Sequence, residues 1–276
     1  MKLDDYKAIL ELCLINGCEA LATNIGKIHV LEFNGNPITF SPDLEATIDE
    51  EWEKMVAEGK AIGNEPKNNP FVHCYGHSKT RKDKRTIDIG LRLGQTDWKH
   101  YSATKRIGSP IIWGIGTAGV TYFINKHGER VYVFATRNLN KVSDIGGRIE
   151  TPPAGFLDIS LVAHPDTLKE NMLQEFEEEL GLPRDRIRSL IPISFIRIPR
   201  YHDYSIDYLI EAGASEEELS EGFKRSSKYR GEHSSHFFVP ESQLRSFIEK
   251  HHSQLPPRTK SDITAYLLST PLIKEK

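Results

Sequence analysis

Cysteine is scarce in this chain, with Cys13, Cys18 and Cys74 the only three among 276 residues. An odd and sparse set excludes a disulfide framework and fits a reducing compartment. Long apolar runs are also missing. No stretch approaches the roughly 18 apolar residues that cross a bilayer, so no membrane partner is expected. An excess of basic charge is absent too: 36 Lys and Arg face 39 Asp and Glu, a net charge of −3. A nucleic-acid binder of this size is expected to be basic or to show a basic stripe, so no nucleic-acid partner is expected. The one dense basic run, Lys79-Thr80-Arg81-Lys82-Asp83-Lys84-Arg85, reads as a solvated loop. The start, Met1-Lys2-Leu3-Asp4-Asp5, is acidic and leads into a short mixed segment. A secretory signal needs a basic start and an apolar centre, so a cytoplasmic location is expected. With 38% apolar and 27% charged residues, the chain can build a large core but should also carry long surface loops.

What is present has a clear order. Residues 3–22 place Ile9, Leu10, Cys13, Leu14 and Cys18 at helical spacing. Residues 28–34 and 86–93 alternate like strands, and Asp43 to Glu58 reads as a polar helix. Residues 59–84, rich in Gly, Pro, Asn and Lys, read as a long loop. From Ile107 the character changes. Residues 110–124 and 130–136 are rich in Ile, Val, Phe and Tyr and flank the turn Asn125-Lys126-His127-Gly128, a hairpin signal. Residues 166–181 predict a helix with Asp166 as its cap and Gly181 then Pro183 as its stop. Strands are expected at 191–198, 204–211 and 235–239, and helices at 240–251 and 261–268. Strands, then helix, then strands give a mixed α+β architecture rather than repeated βαβ units. A boundary near residue 105 divides an N-terminal α/β extension, 1–105, from the remainder, 106–276.

The segment that carries chemistry is Gln174-Glu175-Phe176-Glu177-Glu178-Glu179-Leu180-Gly181-Leu182. On a helix, Glu175, Glu178 and Glu179 project to one side. Leu168, Met172, Leu173, Phe176 and Leu180 form the neighbouring apolar face that would seat the helix in a core. Three carboxylates crowded at one edge repel one another, and a hard divalent cation with oxygen ligands resolves that repulsion. The equally acidic run from Ser215 to Gly222 lacks this spacing and reads as plain surface.

Residues 174–182 resemble the core of the Nudix box, Gly-x5-Glu-x7-Arg-Glu-U-x-Glu-Glu-x-Gly-U with U apolar, matching six of its seven defined positions. Pro153-Ala154-Gly155 is similar to the turn that opens the box, and Asp166 stands where the box has its first Glu. Two departures are plain. The box Arg is Gln174, and ten residues rather than five separate Gly155 from Asp166. The resemblance, over roughly residues 107–255, implies a Nudix-type α/β/α sandwich with a mixed sheet. It implies hydrolysis of a nucleoside diphosphate linked to a further group, with Mg2+ as cofactor and Mn2+ as its substitute, and a small-molecule nucleotide as partner. It also makes Glu175, Glu178 and Glu179 the metal ligands and catalytic residues, with Glu178 either a ligand or the base, and allows a homodimer. Arg137, Arg148, Lys105 and Arg106 are the candidate phosphate grips, each of which also reads as an ordinary surface cation. Ile89 to Lys99, His164-Pro165-Asp166, the Gln174-Glu175 pair and the lengthened loop are similar to the subgroup acting on UDP-sugars, which implies UMP and a sugar 1-phosphate as products. ADP-ribose is the alternative, on the position of Pro199. A catalytically weak module that binds a nucleotide sugar is the rival of another class, favoured by Gln174, and RNA decapping is disfavoured by charge.

Other signals are set aside. Gly114-Ile115-Gly116-Thr117-Ala118-Gly119 spells a dinucleotide fingerprint, but strand-like Val120 to Ile124 follows where a helix is required. His73, Cys74 and His77 have zinc-binding side chains without partners at suitable spacing. Trp98, Tyr101 and Trp113 have rings that can stack on a base, but aromatics near strands are more often core. Tyr201-His202-Asp203-Tyr204, between two expected strands, reads equally as a substrate contact or a turn.

Overall fold

The computed structural model of the chain describes residues 18–23, 25–61, 66–83, 86–109, 111–139 and 146–269. Eleven strands among them join a single mixed sheet, so the fold is α+β. Its centre is β5 (Gly114–Ile124), whose residues are buried throughout except Ile124. A strand covered on both faces reads as a continuous run of apolar and small residues, and β5 does. On one flank β10 (Asp203–Ala212) runs parallel to it, from Asp203 opposite Gly114 to Ala212 opposite Phe123. Antiparallel β9 (Ile187–Ile198) follows, then β1 (Glu19–Thr23). The other flank of β5 is shared. Its first half pairs with β8 (Ala154–Phe156), and its end with β6 (Arg130–Arg137). β6 in turn carries β7 (Ile149–Glu150) and β11 (His233–Pro240).

The N-terminal strands extend this sheet. β3 (Pro70–Arg81) meets β5 at His73 opposite Gly114 and pairs antiparallel with β4 (Ile87–Asp97), which pairs parallel with β2 (Ile25–Asn34). Helices α1 (Pro42–Ala61) and α2 (Trp98–Arg106) accompany them. α3 (Thr167–Leu180) packs on one face of the sheet, where Leu168, Met172, Phe176 and Leu180 join Ile115, Phe123, Val131 and Val133. Burial of Phe176 alone contributes roughly 2–3 kcal/mol. A second core holds Val120, Tyr132 and Phe134 against α6 (Leu244–His251) and α7 (Pro257–Ser269), through Leu244, Ile248, Ile263 and Tyr266. Between α3 and β11 lie α4 (Glu216–Arg225) and α5 (Ser227–Glu232).

Several expectations need correction. The helix expected over 3–22 lies mostly outside the described residues, and Glu19–Thr23 is a strand because it closes the edge of β9. The loop expected over 59–84 contains β3. Its polar residues conceal Phe71, Val72 and Cys74, which are buried between β4 and the start of β5. Helix α2 follows directly on β4 and starts where the Asp97 side chain accepts from the His100 amide. Lys79 to Arg81 finish β3 rather than form a loop, while Lys84 and Arg85 lie outside the described residues. Cys18 and Cys74 are free thiols. Among the described residues no helix is long and apolar enough to cross a membrane.

α2 is tied to the sheet by aromatics and one buried acid. Phe71, Trp98, Tyr101 and Phe156 form a cluster with ring centroids 4.5–5.6 Å apart. The Tyr101 hydroxyl donates to Asp203 Oδ1 at 2.6 Å. Burial pushes the Asp203 carboxyl up to about 6, against the opposing effect of the Tyr101 bond. Its proton is held more tightly in the fold than in the unfolded chain. The stability this group contributes is therefore full below about pH 4 and is lost as pH rises through about 6. Asp203→Asn keeps an acceptor for Tyr101 and removes the charge. Its stability relative to wild type, from urea midpoints, should improve by about 2 kcal/mol between pH 4.5 and pH 7.5. A difference that does not move with pH would refute this account of Asp203.

Candidate functional site

α3 buries Leu168, Asn171, Met172, Glu175, Phe176, Glu179 and Leu180. These positions recur every three to four residues, so two of the three sequence-selected glutamates share the face that carries the apolar residues. Asn171 fixes that face. Its amide donates to Thr117 Oγ1 of β5 at 2.9 Å and accepts from the Asp158 amide at 3.0 Å. Gly181, at φ 62°, ends the helix as expected. Asp166 does occupy the N-cap position, but its side chain makes no capping bond, a correction to the expected cap.

The carboxylates sit in three different environments. Glu175 is 7% exposed and lies against the backbone of β8, where a Cβ on residue 155 would stand 1.9 Å from Glu175 Oε1. A larger residue there requires the Glu175 carboxylate to shift. Glu175 Oε2 accepts a short bond from the Lys228 ammonium of α5, and Lys228 Nζ also lies 3.1 Å from Glu178 Oε2. Glu178 is largely exposed, and Gln174 Nε2 donates to its other oxygen at 2.8 Å. Gln174 thus supplies a hydrogen bond to Glu178 without adding charge. Glu179 is 1% exposed, and its Oε1 has no hydrogen-bond partner among the described residues. Burial, then the neighbouring Glu175 and Glu232, hold the Glu179 carboxyl well above the ordinary range. Burial also raises Glu175, with Lys228 opposing it.

A second ring of charge stands behind these groups. Arg137 Nε lies 2.8 Å from Glu150 Oε1, and Arg137 Nη1 donates a short bond to Glu232. His233 Nε2 is 2.6 Å from the same Glu150 oxygen. Burial is the largest effect on Glu150 and would raise it, but Arg137, His233 and Arg258 together outweigh burial and hold the carboxyl low. The Arg137 charge also acts on Glu179.

The four candidate phosphate grips are thus dispersed. Arg137 stands beside the cluster, with its guanidinium engaged by Glu150 and Glu232. Arg148 donates to the Ser253 carbonyl, at the turn before α7. Arg106 grips Glu58 and Glu51 of α1, and Lys105 lies over the Tyr101 and Tyr201 rings. Neither α2 cation contacts the three glutamates, because α2 faces α1 and the aromatic cluster. The set-aside motifs fall where their chemistry is silent. Gly114 to Gly119 are strand, and Gly116 lets the Gly155 carbonyl approach β5. His73 is buried in β3 and lowered by burial to about 4, and Cys74 Sγ donates to the Gly76 carbonyl. The acidic run at 215–222 opens α4 with a capping box between Ser215 and Glu218.

Lys228, Glu232, Glu150 and His233 were missed from the sequence. Lys228 lies 53 residues from Glu175 in a polar stretch, where no spacing marks it. Ser226 brings it in, since its hydroxyl donates to the Glu178 carbonyl and joins α5 to α3.

Whether these residues suit a hard divalent ion is a question of donors and room. The donors are all carboxylate oxygens, Glu179 Oε1 is buried without a partner, and Gly155 clears space beside Glu175. Among the described residues, however, no three His, Cys, Asp or Glu side chains converge as a ligand shell. Glu175 and Glu178 converge instead on Lys228. The donor chemistry fits such an ion, with the Lys228 ammonium standing between Glu175 and Glu178.

No family model and no curated protein matches the sequence. Solved structures with a similar fold include RenU, a Nudix hydrolase from M. smegmatis, at 15% identity and TM-score 0.36, covering 56% of this chain and 85% of that one. The MutT protein of Methanosarcina mazei Go1 is 15% identical with TM-score 0.35, covering 58% and 96%. The NUDIX domain of Shewanella oneidensis NrtR, solved with ADP ribose, is 10% identical with TM-score 0.36, covering 56% and 86%.

Two measurements test the physical account of the cluster. Gly155→Ala drives a methyl group into the Glu175 carboxylate and should cost about 1–3 kcal/mol of stability in urea unfolding. Glu179→Gln removes a buried, unsatisfied carboxylate and should stabilise the metal-free protein by on the order of 1 kcal/mol. A destabilised Glu179→Gln protein would contradict the unfavourable environment assigned to this residue.

Proposed function

We propose that the chain is a hydrolase of the Nudix type that cleaves the diphosphate of a nucleoside diphosphate sugar, with a UDP-sugar as substrate and UMP and sugar 1-phosphate as products. The observation that carries the reading is the state of Glu179: a carboxylate buried on a packed helix, beside Glu175, with an oxygen that nothing satisfies. A fold tolerates such a group at a cost, and function is the usual reason for retaining it. The box-like spacing from Gln174 to Leu182 supports the same conclusion.

Glu175 and Glu179 are the residues that would hold Mg2+ or Mn2+, seated by the glycine of β8 and by the Asn171 anchor. A bound divalent ion supplies neutralisation of the diphosphate charge and polarisation of a water for in-line attack. Glu178 differs from its neighbours. It is exposed and hydrogen-bonded by Gln174, which supports it as the base that would take the attacking water's proton at a carboxylate oxygen. Arg137 stands behind the cluster and steadies Glu150 and Glu232 rather than gripping substrate. The N-terminal strands and α2 bring Phe71, Trp98 and Tyr101 up to Phe156, the residue next to Gly155. They therefore reach the strand that carries Gly155, through the residue that follows it. A cytoplasmic location and a homodimer remain part of this proposal.

One observation favours a second reading, a module that binds nucleotide sugar with little turnover: Lys228 already neutralises Glu175 and Glu178. A panel of nucleotide sugars, ADP-ribose and dinucleotides, assayed with Mg2+ and with chelator, separates the two. Mg2+-dependent release of a nucleoside monophosphate and a sugar phosphate is expected. Glu178→Gln should lower kcat by about 10²–10⁴-fold with little change in KM. Ligand-induced stabilisation with no product from any member of the panel would select the binding module.

A further inference from the structure

We propose that Lys228 is a tethered counter-ion that holds the carboxylate cluster together when no metal is bound, and that a divalent ion must displace it to bind. The inference rests on the reading above, in which Glu175 and Glu179 hold such an ion.

The geometry is specific. Lys228 Nζ contacts Glu175 Oε2 and lies 3.1 Å from Glu178 Oε2, so one ammonium bridges two carboxylates three residues apart on α3. Its side chain is only 27% exposed, and the Glu175 side chain 9%. This pair is not a surface ion pair that water screens. Glu179 and Glu232 add negative charge around the same point. Without a cation, Glu175 and Glu178 would lose the ammonium that stands between them, with buried Glu179 adding further negative charge. A monovalent ammonium on a flexible stem offsets part of that repulsion, but it presents donors to two carboxylates only. Glu179 Oε1 is left unsatisfied, and that oxygen is the remainder a divalent ion would take.

Lys228 is also mounted so that it can leave. It sits on α5, a helix of six residues. Ser226, just before α5, donates its hydroxyl to the Glu178 carbonyl and ties the chain there to the α3 backbone. The side chain can therefore withdraw while the helix stays in place. In this arrangement Lys228 sets how tightly the site holds its metal and keeps the empty site folded. It is a positioning residue: it acts on the ligands and not on the substrate.

The test uses the full-length protein stripped with chelator. Mn2+ binding is followed by loss of the free-ion electron paramagnetic resonance signal, for wild type, Lys228→Met and Lys228→Arg. Removing the competing charge should tighten Mn2+ binding about tenfold in Lys228→Met, and lower the melting temperature of its metal-free form. Lys228→Arg keeps the charge and should bind Mn2+ no more tightly than wild type. A second measurement needs no variant. Acetylation of Lys228 in the wild-type protein, quantified by mass spectrometry, should rise several-fold when Mn2+ is added. Equal Mn2+ affinity in wild type and Lys228→Met, or binding of Mn2+ with Lys228 acetylation unchanged, overturns the displacement and leaves the metal site standing. Absence of Mn2+ binding in all three proteins removes the metal site and this proposal with it.

Discussion

The constraint on which the rest of the structure depends is the burial of acid on a packed helix. Glu175 and Glu179 lie on the same face of α3 as Phe176 and Leu180, so the contacts that seat the helix also draw its carboxylates out of water. Burying unpaired charge is strongly unfavourable, and the surroundings are organised around that fact. Lys228 comes from a helix more than fifty residues away to neutralise one edge. Arg137, placed at the end of β6, gathers Glu150 and Glu232 into a ring behind the other. Asn171 locks the helix register so that the acids cannot rotate into solvent.

The N-terminal third serves the same region by a different route. β3 pairs with β5 at its start, through His73 and Gly114, and Phe71 beside that contact packs with Tyr101 and Trp98 of α2. Phe156, next to Gly155, joins that cluster, so one three-residue strand has the carboxylate site at one residue and the N-terminal layer at the next. An architecture that places strands before and after residue 105 in one sheet makes the N-terminal segment a structural neighbour of the site.

How much of this was legible in the sequence depends on how local each signal is. The hairpin of β5 and β6, the polar helix α1, and the helix carrying Glu175, Glu178 and Glu179 were readable, because turn residues and periodicity act within a few positions. β3 was not. Its tail, His77 to Arg81, is polar, and only pairing with β4 on one side and contact with β5 on the other reveal Phe71, Val72 and Cys74 as core. The glutamates were found by their spacing, but the division of labour among them was not. Glu178 is exposed and Glu179 buried because of what packs against α3, and periodicity carries no record of that. The basic residues were the poorest guide. Lys105, Arg106 and Arg148 looked like phosphate grips, and each is engaged by a carboxylate, a ring or a carbonyl elsewhere. Lys228, which does reach the cluster, had no motif to announce it.

The end of α3 has a consequence for how this protein tolerates change. Gly181 turns the chain with φ 62°, and a Cβ there would stand 2.2 Å from the Gly222 carbonyl oxygen of α4. Two helices thus abut backbone to backbone, with no side chain between them to absorb a misfit. In a mutational scan the pair would score as severely as the glutamates, though neither glycine takes part in any chemistry. Intolerance at that point would report a hard mechanical stop, against which the acidic helix is indexed along its own axis.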